Sequence, residues 1–331
     1  MKFAIENSTW NNIGDAFYQQ SIVEVFRRTF PNDQVVTFDG PADRAFHHGN
    51  WMRNTLDART WVEADHFVFS GPIMSNTFLA RHEPLIRKIR EQGKSYSLIS
   101  VHGGAVGSTL DAIRKFLTEH PPAAIHTRDT DTFEKLKDLV PHQLSGICFA
   151  FFVKLMENIP DLQPDAPYIC CSFYSKPEPG FEITRDKHGA IAELSFTKRP
   201  TTTLPWRLAR HLQSRRPYPK SENGFEIVRP VHDAHKFPHI TFAKPGTYIT
   251  YNPKAFLSIY KHTSATISDR VHAGVVTLSF GKPALIDKID GRAKLFDNSA
   301  VSERNGVLRA DQFEIDRHYK NHVEWLKNIP F

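Results

Sequence analysis

The chain has 331 residues, comfortable for two domains of about 150 each and too long for one. Hydrophobic residues make up 40% and charged residues 24%, which are globular values and exclude a disordered or repetitive chain. Forty-two Lys and Arg against 36 Asp and Glu give a net charge of +6, which favours anionic partners without choosing among nucleic acid, phosphorylated metabolites and acidic membranes.

The opening MKFAIENSTWNN has only a short apolar run, so no export signal is expected and the cytoplasm is the expected location. Lys2 to Glu6 reads as a strand, followed by the loop Asn7 to Gly14. Asp15 to Phe30 carries Tyr18, Ile22, Val25, Phe26 and Phe30 at helical spacing and stops at Pro31. Val35 to Phe38 and His66 to Ser70 read as strands, and Thr77 to Gln92 as a helix ended by Gly93. Ser95 to Val101 is a strand entering His102-Gly103-Gly104; helix Ser108 to Glu119, strand Ala124 to Thr127 and helix Asp131 to Leu139 follow. This alternation predicts a parallel sheet covered on both faces. Ile147 to Met156 is about half a membrane span and contains Lys154, so it reads as buried core. Cys148, Cys170 and Cys171 form neither a disulfide framework nor a CxxC pair, as suits a reducing compartment.

Pro160, Pro164 and Pro167 mark a crossover between domains 1–160 and 161–331. Tyr168 to Phe173, Phe181 to Thr184 and Ala190 to Phe196 read as strands. Lys198 to Lys220 holds seven Lys or Arg and no acid. Within it, Leu204, Trp206, Leu208 and Leu212 alternate with Arg207, Arg210, Arg215 and Arg216, the pattern of a short interfacial helix or of a solvated surface helix. From Gly224 the α/β pattern returns: strands Phe225 to Val228 and Thr247 to Tyr251, helix Pro253 to Lys261, strand Ala265 to Ser268, helix Asp269 to Phe280 and strand Ala284 to Asp287. A last helix near Arg317 to Lys327 is expected to pack back on the first domain.

The chemistry concentrates in Thr266-Ile267-Ser268-Asp269-Arg270-Val271-His272-Ala273-Gly274. A strand feeds directly into a helix that Ser268 or Asp269 is expected to cap. The unpaired N–H groups of the first turn, with the helix dipole, favour an anion there. Arg270 adds a forked guanidinium suited to phosphate or carboxylate, and His272 a proton donor.

The run SDRVHAGVVTLSFGKPALI resembles the signature of the polysaccharide pyruvyl transferase family. Asn12-Ile13-Gly14-Asp15 resembles that family's opening loop, Asp65 to Gly71 its Asp-strand-glycine element, and Thr127-Arg128-Asp129 its Arg-Asp element. Lys294 matches a lysine after the Gly-Lys-Pro strand. The glycine-rich run expected after Phe69 is replaced by Ser70-Gly71-Pro72-Ile73; Pro72 removes a backbone donor, so phosphate cradling by that loop is in doubt.

The resemblance implies an α/β protein of two Rossmann-like domains facing a cleft, glycosyltransferase-B-like, with the first domain on the acceptor side. It implies transfer of the pyruvyl group of phosphoenolpyruvate, a co-substrate and not a cofactor, onto a saccharide as a ketal in cell-surface polysaccharide synthesis. Donor contacts fall to Arg270 and the backbone N–H groups near Val271 and His272, with Arg128 or its rival Lys294 as second cation; Asn12, Gly14 and Ser268 are further substrate-binding candidates. His272 is the candidate acid, and Asp15 or His102 the candidate base; Asp15 as helix cap and His102 as loop histidine are the plain alternatives.

The alternatives are a nucleotide-sugar glycosyltransferase of the same architecture and a non-catalytic glycan- or membrane-binding protein. Expected partners are a saccharide acceptor, lipid-linked or otherwise, and an anionic membrane through Leu204 to Arg216, but not nucleic acid. No metal is expected: His232, Asp233, His235 and His239 read as a polar loop, as does His47-His48. Gly103-Gly104-x-x-Gly107 is an incomplete dinucleotide fingerprint.

Overall fold

A computed structural model describes residues 1–7, 12–39, 57–173, 177–198, 217–233, 242–287 and 291–331. The stretch Leu204 to Arg216, His47, His48, His235 and His239 lie outside the described residues. The chain divides into two compact units: Met1–Trp10, Asp15–Met156 and Asp316–Phe331 form the first, Asn11–Gly14 and Glu157–Ile315 the second.

In the first unit, β1 (Lys2–Asn7), β2 (Gln34–Asp39), β3 (His66–Gly71), β4 (Ser95–Val101), β5 (Ile125–Thr127) and β6 (Gln143–Ser145) make one parallel sheet in the order β2-β1-β3-β4-β5-β6. All of β3 is buried and all of β1 beyond Lys2, which is why each carries an unbroken apolar triplet, Phe3-Ala4-Ile5 and Phe67-Val68-Phe69, and does not alternate. The order reverses between β1 and β3. In open sheets of this kind ligands bind beyond the carboxyl ends of the strands near such a reversal. Helices α1 (Ile13–Thr29), α2 (Phe78–Glu91), α3 (Gly107–Glu119) and α4 (Thr130–Leu136) follow the strands. Gly93 ends α2 in the left-handed conformation, its N–H donating to the Arg90 carbonyl. Phe149–Leu155 is a 3₁₀ turn that buries Phe149, Phe151 and Phe152, so the apolar stretch around it is core.

The second unit holds β7 (Tyr168–Ser172), the hairpin β8 (Gly180–Arg185) and β9 (Ile191–Lys198), β10 (Ser221–Glu222), β11 (Phe225–Pro230) and β12 (Thr247–Tyr248). Next come α5 (Pro253–His262), β13 (Thr266–Ser268), α6 (Val271–Ser279), β14 (Ala284–Ile286), β15 (Val301–Arg304) and β16 (Val307–Ala310). The main sheet runs β10-β11-β7-β13-β14-β16-β15; β11, β7, β13 and β14 are mutually parallel, while among the described residues β8 and β9 form a separate two-stranded sheet. Its core joins Ile169, Cys171, Ile227, Ile267 and Leu285. Cys148, Cys170 and Cys171 are free and buried, and burial pushes the Cys170 thiol up to about 12.

The last helix, α7 (Gln312–Lys327), belongs to the first unit from Asp316 onward. Asp316 pairs with Lys154 at 2.7 Å, and the terminal Phe331 ring meets Phe3 at 5.2 Å and His66 at 4.6 Å. Among the described residues, no helix is long and apolar enough to cross a membrane.

Candidate active site

The centre of the second unit is the junction from β13 to α6. Ser268 Oγ donates to the Ser172 carbonyl at 2.6 Å and accepts the Arg270 N–H at 2.8 Å. Asp269 N–H donates to the same Ser172 carbonyl, and Asp287 N–H to the Ser268 carbonyl. These bonds keep Ser268 in the strand. The helix therefore starts two residues later than the sequence suggests, at Val271. Arg270 holds the cap position. All nine residues of α6 are buried, and Thr277 Oγ1 ties it to Thr266 Oγ1 at 2.6 Å. The small Ala-Gly step after His272 has a packing cause: a Cβ on Gly274 would stand 2.6 Å from Ile286 Cδ1 and 3.1 Å from Phe296 Cζ.

Helix geometry leaves the N–H groups of Val271, His272 and Ala273 without intrahelical acceptors. Arg270 is 9% exposed and His272 7%, so both side chains at this N-terminus are buried. Burial strengthens their interaction with an anion.

Asn12–Gly14 belongs to this unit and explains the opening motif. Asn12 Oδ1 accepts from the Gly14 N–H at 3.3 Å and, at a longer 3.5 Å, from Arg270 Nη1. The Ile13 N–H donates to the His232 carbonyl at 2.9 Å. A Cβ on Gly14 would lie 3.1 Å from His272 Nδ1 and 3.2 Å from His272 Cβ. The asparagine therefore steadies the arginine, and the glycine gives the imidazole room.

Sequence reasoning missed His232. It follows β11 and is 4% exposed, not part of a solvated polar loop, and its Nε2 meets the Tyr260 hydroxyl at 2.6 Å. Burial, and then the Arg270 charge, hold its pKa well below the usual histidine range, so it stays neutral. Its carbonyl carries the Asn12–Gly14 loop while its ring anchors on α5. A histidine directly after a strand, in Arg229-Pro230-Val231-His232, was the available signal.

In the first unit the carboxyl ends of β4 and β5 carry a second polar group. His102 Nδ1 lies 2.8 Å from Asp129 Oδ2. Asp129 also accepts from the Thr132 N–H at 2.8 Å and Thr132 Oγ1 at 3.0 Å, capping α4. These bonds hold the Asp129 carboxyl below its usual pKa despite the opposing effect of burial. Arg128 is buried, its guanidinium 5.5 Å above the Tyr18 ring. Asp15 is half-buried in the first turn of α1, a favourable place for a negative charge.

The structure thus gathers Ser268, Arg270, Val271, His272, Asn12 and Gly14 in the second unit, and His102 and Arg128 at β4 and β5 of the first. Lys294 is exposed on the 3₁₀ turn Gly291–Phe296, which Phe296 anchors on α6. Among the described residues no three His, Cys, Asp or Glu side chains are grouped to hold a metal ion.

The fold is of the glycosyltransferase-B-like class. It matches S. aureus MnaA in complex with UDP, with a TM-score of 0.53 and 9% identity over 99% of this chain and 88% of that one. A putative UDP-N-acetylglucosamine 2-epimerase from Listeria monocytogenes gives 0.53 and 12% over the same shares. At these identities the likeness concerns the fold alone. No match is found among curated proteins. The family model for polysaccharide pyruvyl transferase matches residues 12–286, and the chain belongs to that family.

Proposed function

We propose that the protein transfers the pyruvyl group of phosphoenolpyruvate onto two hydroxyls of a saccharide, forming a ketal for cell-surface polysaccharide synthesis. The observation that carries this reading is Arg270 at the cap of α6 with His272 two residues on, both buried and both met by Asn12–Gly14. Phosphoenolpyruvate is a small dianionic-to-trianionic ligand whose carboxylate and phosphate call for a fork of donors and a helix N-terminus.

In this reading Arg270 and the N–H groups of the first turn of α6 hold the donor. His272 protonates the methylene carbon, and positive character builds at C2. A first hydroxyl adds at C2, the C2–O bond to phosphate breaks with its electron pair leaving on phosphate, and a second hydroxyl closes the ketal. Of the two hydroxyl protons, one balances the proton now on the methyl carbon and the other leaves with phosphate. The transfer proposed draws on no resident cofactor.

The test is incubation with candidate donors and a panel of saccharides bearing neighbouring hydroxyls. Phosphate released from phosphoenolpyruvate only in the presence of a saccharide supports the reading. Nucleotide released from a UDP-sugar, with phosphoenolpyruvate untouched, overturns it in favour of a glycosyltransferase.

A further inference from the structure

We infer that His232 and Tyr260 are positioning residues for the donor site: bonded to each other, they set the Asn12–Gly14 loop beside Arg270 and thereby the affinity for the anion. This rests on the pyruvyl-transfer reading of α6 and deepens it.

The contacts form a circuit that begins and ends at Arg270. Its N–H donates to Ser268 Oγ, which donates in turn to the Ser172 carbonyl at the end of β7. Ser172 Oγ donates to the Pro230 carbonyl at 2.8 Å. Two residues further on, the His232 carbonyl accepts the Ile13 N–H. Asn12, the neighbour of Ile13, accepts from Arg270 Nη1 and closes the circuit. The backbone of Arg270 is thus tied through β13 and β7, and its guanidinium through the loop. Both routes meet at the end of β11.

The place of that end is set from α5. His232 Nε2 meets the Tyr260 hydroxyl at 2.6 Å, and its ring packs edge-on against Phe256 at 5.4 Å. Phe256 and Tyr260 stand one turn apart on the helix, and both are fully buried. Burial holds the Tyr260 pKa well above its ordinary value, against the opposing influence of Ser172 and the Arg270 charge, so the hydroxyl stays protonated. A bond between two neutral groups shut away from water keeps its strength and geometry. The pair acts through the loop, which carries Asn12 to Arg270 and Gly14 to His272.

The experiment measures phosphoenolpyruvate affinity by calorimetry, beside melting temperature, for wild type, Tyr260→Phe, His232→Leu, His232→Gln and the Tyr260→Phe/His232→Leu double variant. Circular dichroism confirms that each is folded, and Tyr260→Phe, the mildest change, decides alone where His232→Leu does not fold. Tyr260→Phe keeps the ring and should weaken binding on the order of 10-fold, with His232→Leu similar. Gln brings an amide to the place of Nε2, so His232→Gln should bind within about 3-fold of wild type. The double variant should bind no more weakly than the single ones, because all three lose the same bond. Variants that melt lower yet bind as wild type does, a Gln variant no better than Leu, or losses that add would overturn the inference and leave the donor reading intact. A wild type that binds no phosphoenolpyruvate overturns that reading and this one together.

Discussion

The imidazoles of His126 and His322 meet Nε2 to Nε2 at 2.7 Å inside the first unit. The Ser100 N–H donates to His126 Nδ1 at 3.0 Å, so the His126 hydrogen sits on Nε2 and points at His322. His322 then carries its hydrogen on Nδ1, which meets the His318 carbonyl at 2.5 Å. Phe149 packs edge-on against both rings. Every proton position is fixed by a partner, and all of them require two neutral rings.

Acid should therefore loosen this unit. Burial lowers the His322 pKa to about 4 and that of His126 well below its ordinary value. The unfolded chain binds protons at both from about pH 6.5 downward while the folded one does not, so stability is present above pH 6.5 and is lost as pH falls toward 4. His322 alone accounts for roughly 3 kcal/mol over that interval. Urea midpoints measured from pH 7 to pH 5 should fall, a range above that in which paired carboxylates protonate. A flat profile would contradict the tautomer assignment.

Gly14→Ala tests the opening motif. The added methyl would lie 3.1 Å from His272 Nδ1 and 3.2 Å from Asn12 Oδ1, so the imidazole has to shift by a few tenths of an ångström. Turnover should fall by on the order of 10-fold, since small misplacements of reacting groups are costly. The melting temperature should change little; unaltered turnover would mean that His272 is not aligned by this loop.

The ion cluster of the second unit makes a separate prediction. Arg229 binds Glu178 through Nε and Nη2, Lys244 adds a contact at 3.3 Å, and Glu178 is 4% exposed. Arg229→Met leaves a buried carboxylate with much of its compensation gone and should cost about 3–5 kcal/mol. Glu178→Met with Arg229→Met should recover a large part of that loss in the same denaturation assay. A double variant no more stable than the single one would show that packing, not charge, dominates.

Ser268→Ala removes the acceptor of the Arg270 N–H and the donor to the Ser172 carbonyl. With both partners buried, the loss should be about 1–3 kcal/mol by denaturant titration. Weaker donor binding should accompany it, because the residue that loses its anchor is the one proposed to hold the anion.

Much of this was legible in sequence, for local reasons. The β13–α6 junction reads directly because a short buried strand runs into a small-residue helix, with Arg at its cap and His in its first turn. Other features depend on contacts that sequence does not carry. Asn12 meets Arg270 across 258 positions, and the His102–Asp129 pair exists only because β4 and β5 are neighbours. The hairpin turns at Asn223-Gly224 and Asn305-Gly306 escaped notice although all four residues have positive φ, the signature of a tight primed turn. Their strands, two to six residues long, are too short for alternation to stand out. His232 reads as polar loop because its burial is supplied by Tyr260 and Phe256, residues of a helix more than twenty positions away.

The most direct measurement is the affinity of phosphoenolpyruvate for wild type, Arg270→Gln and His272→Gln, paired with phosphate release from each. Wild type should bind and turn over with a saccharide, Arg270→Gln should lose binding, and His272→Gln should bind while losing turnover. Phosphoenolpyruvate bound equally by wild type and Arg270→Gln would contradict the assignment of α6 as the donor site.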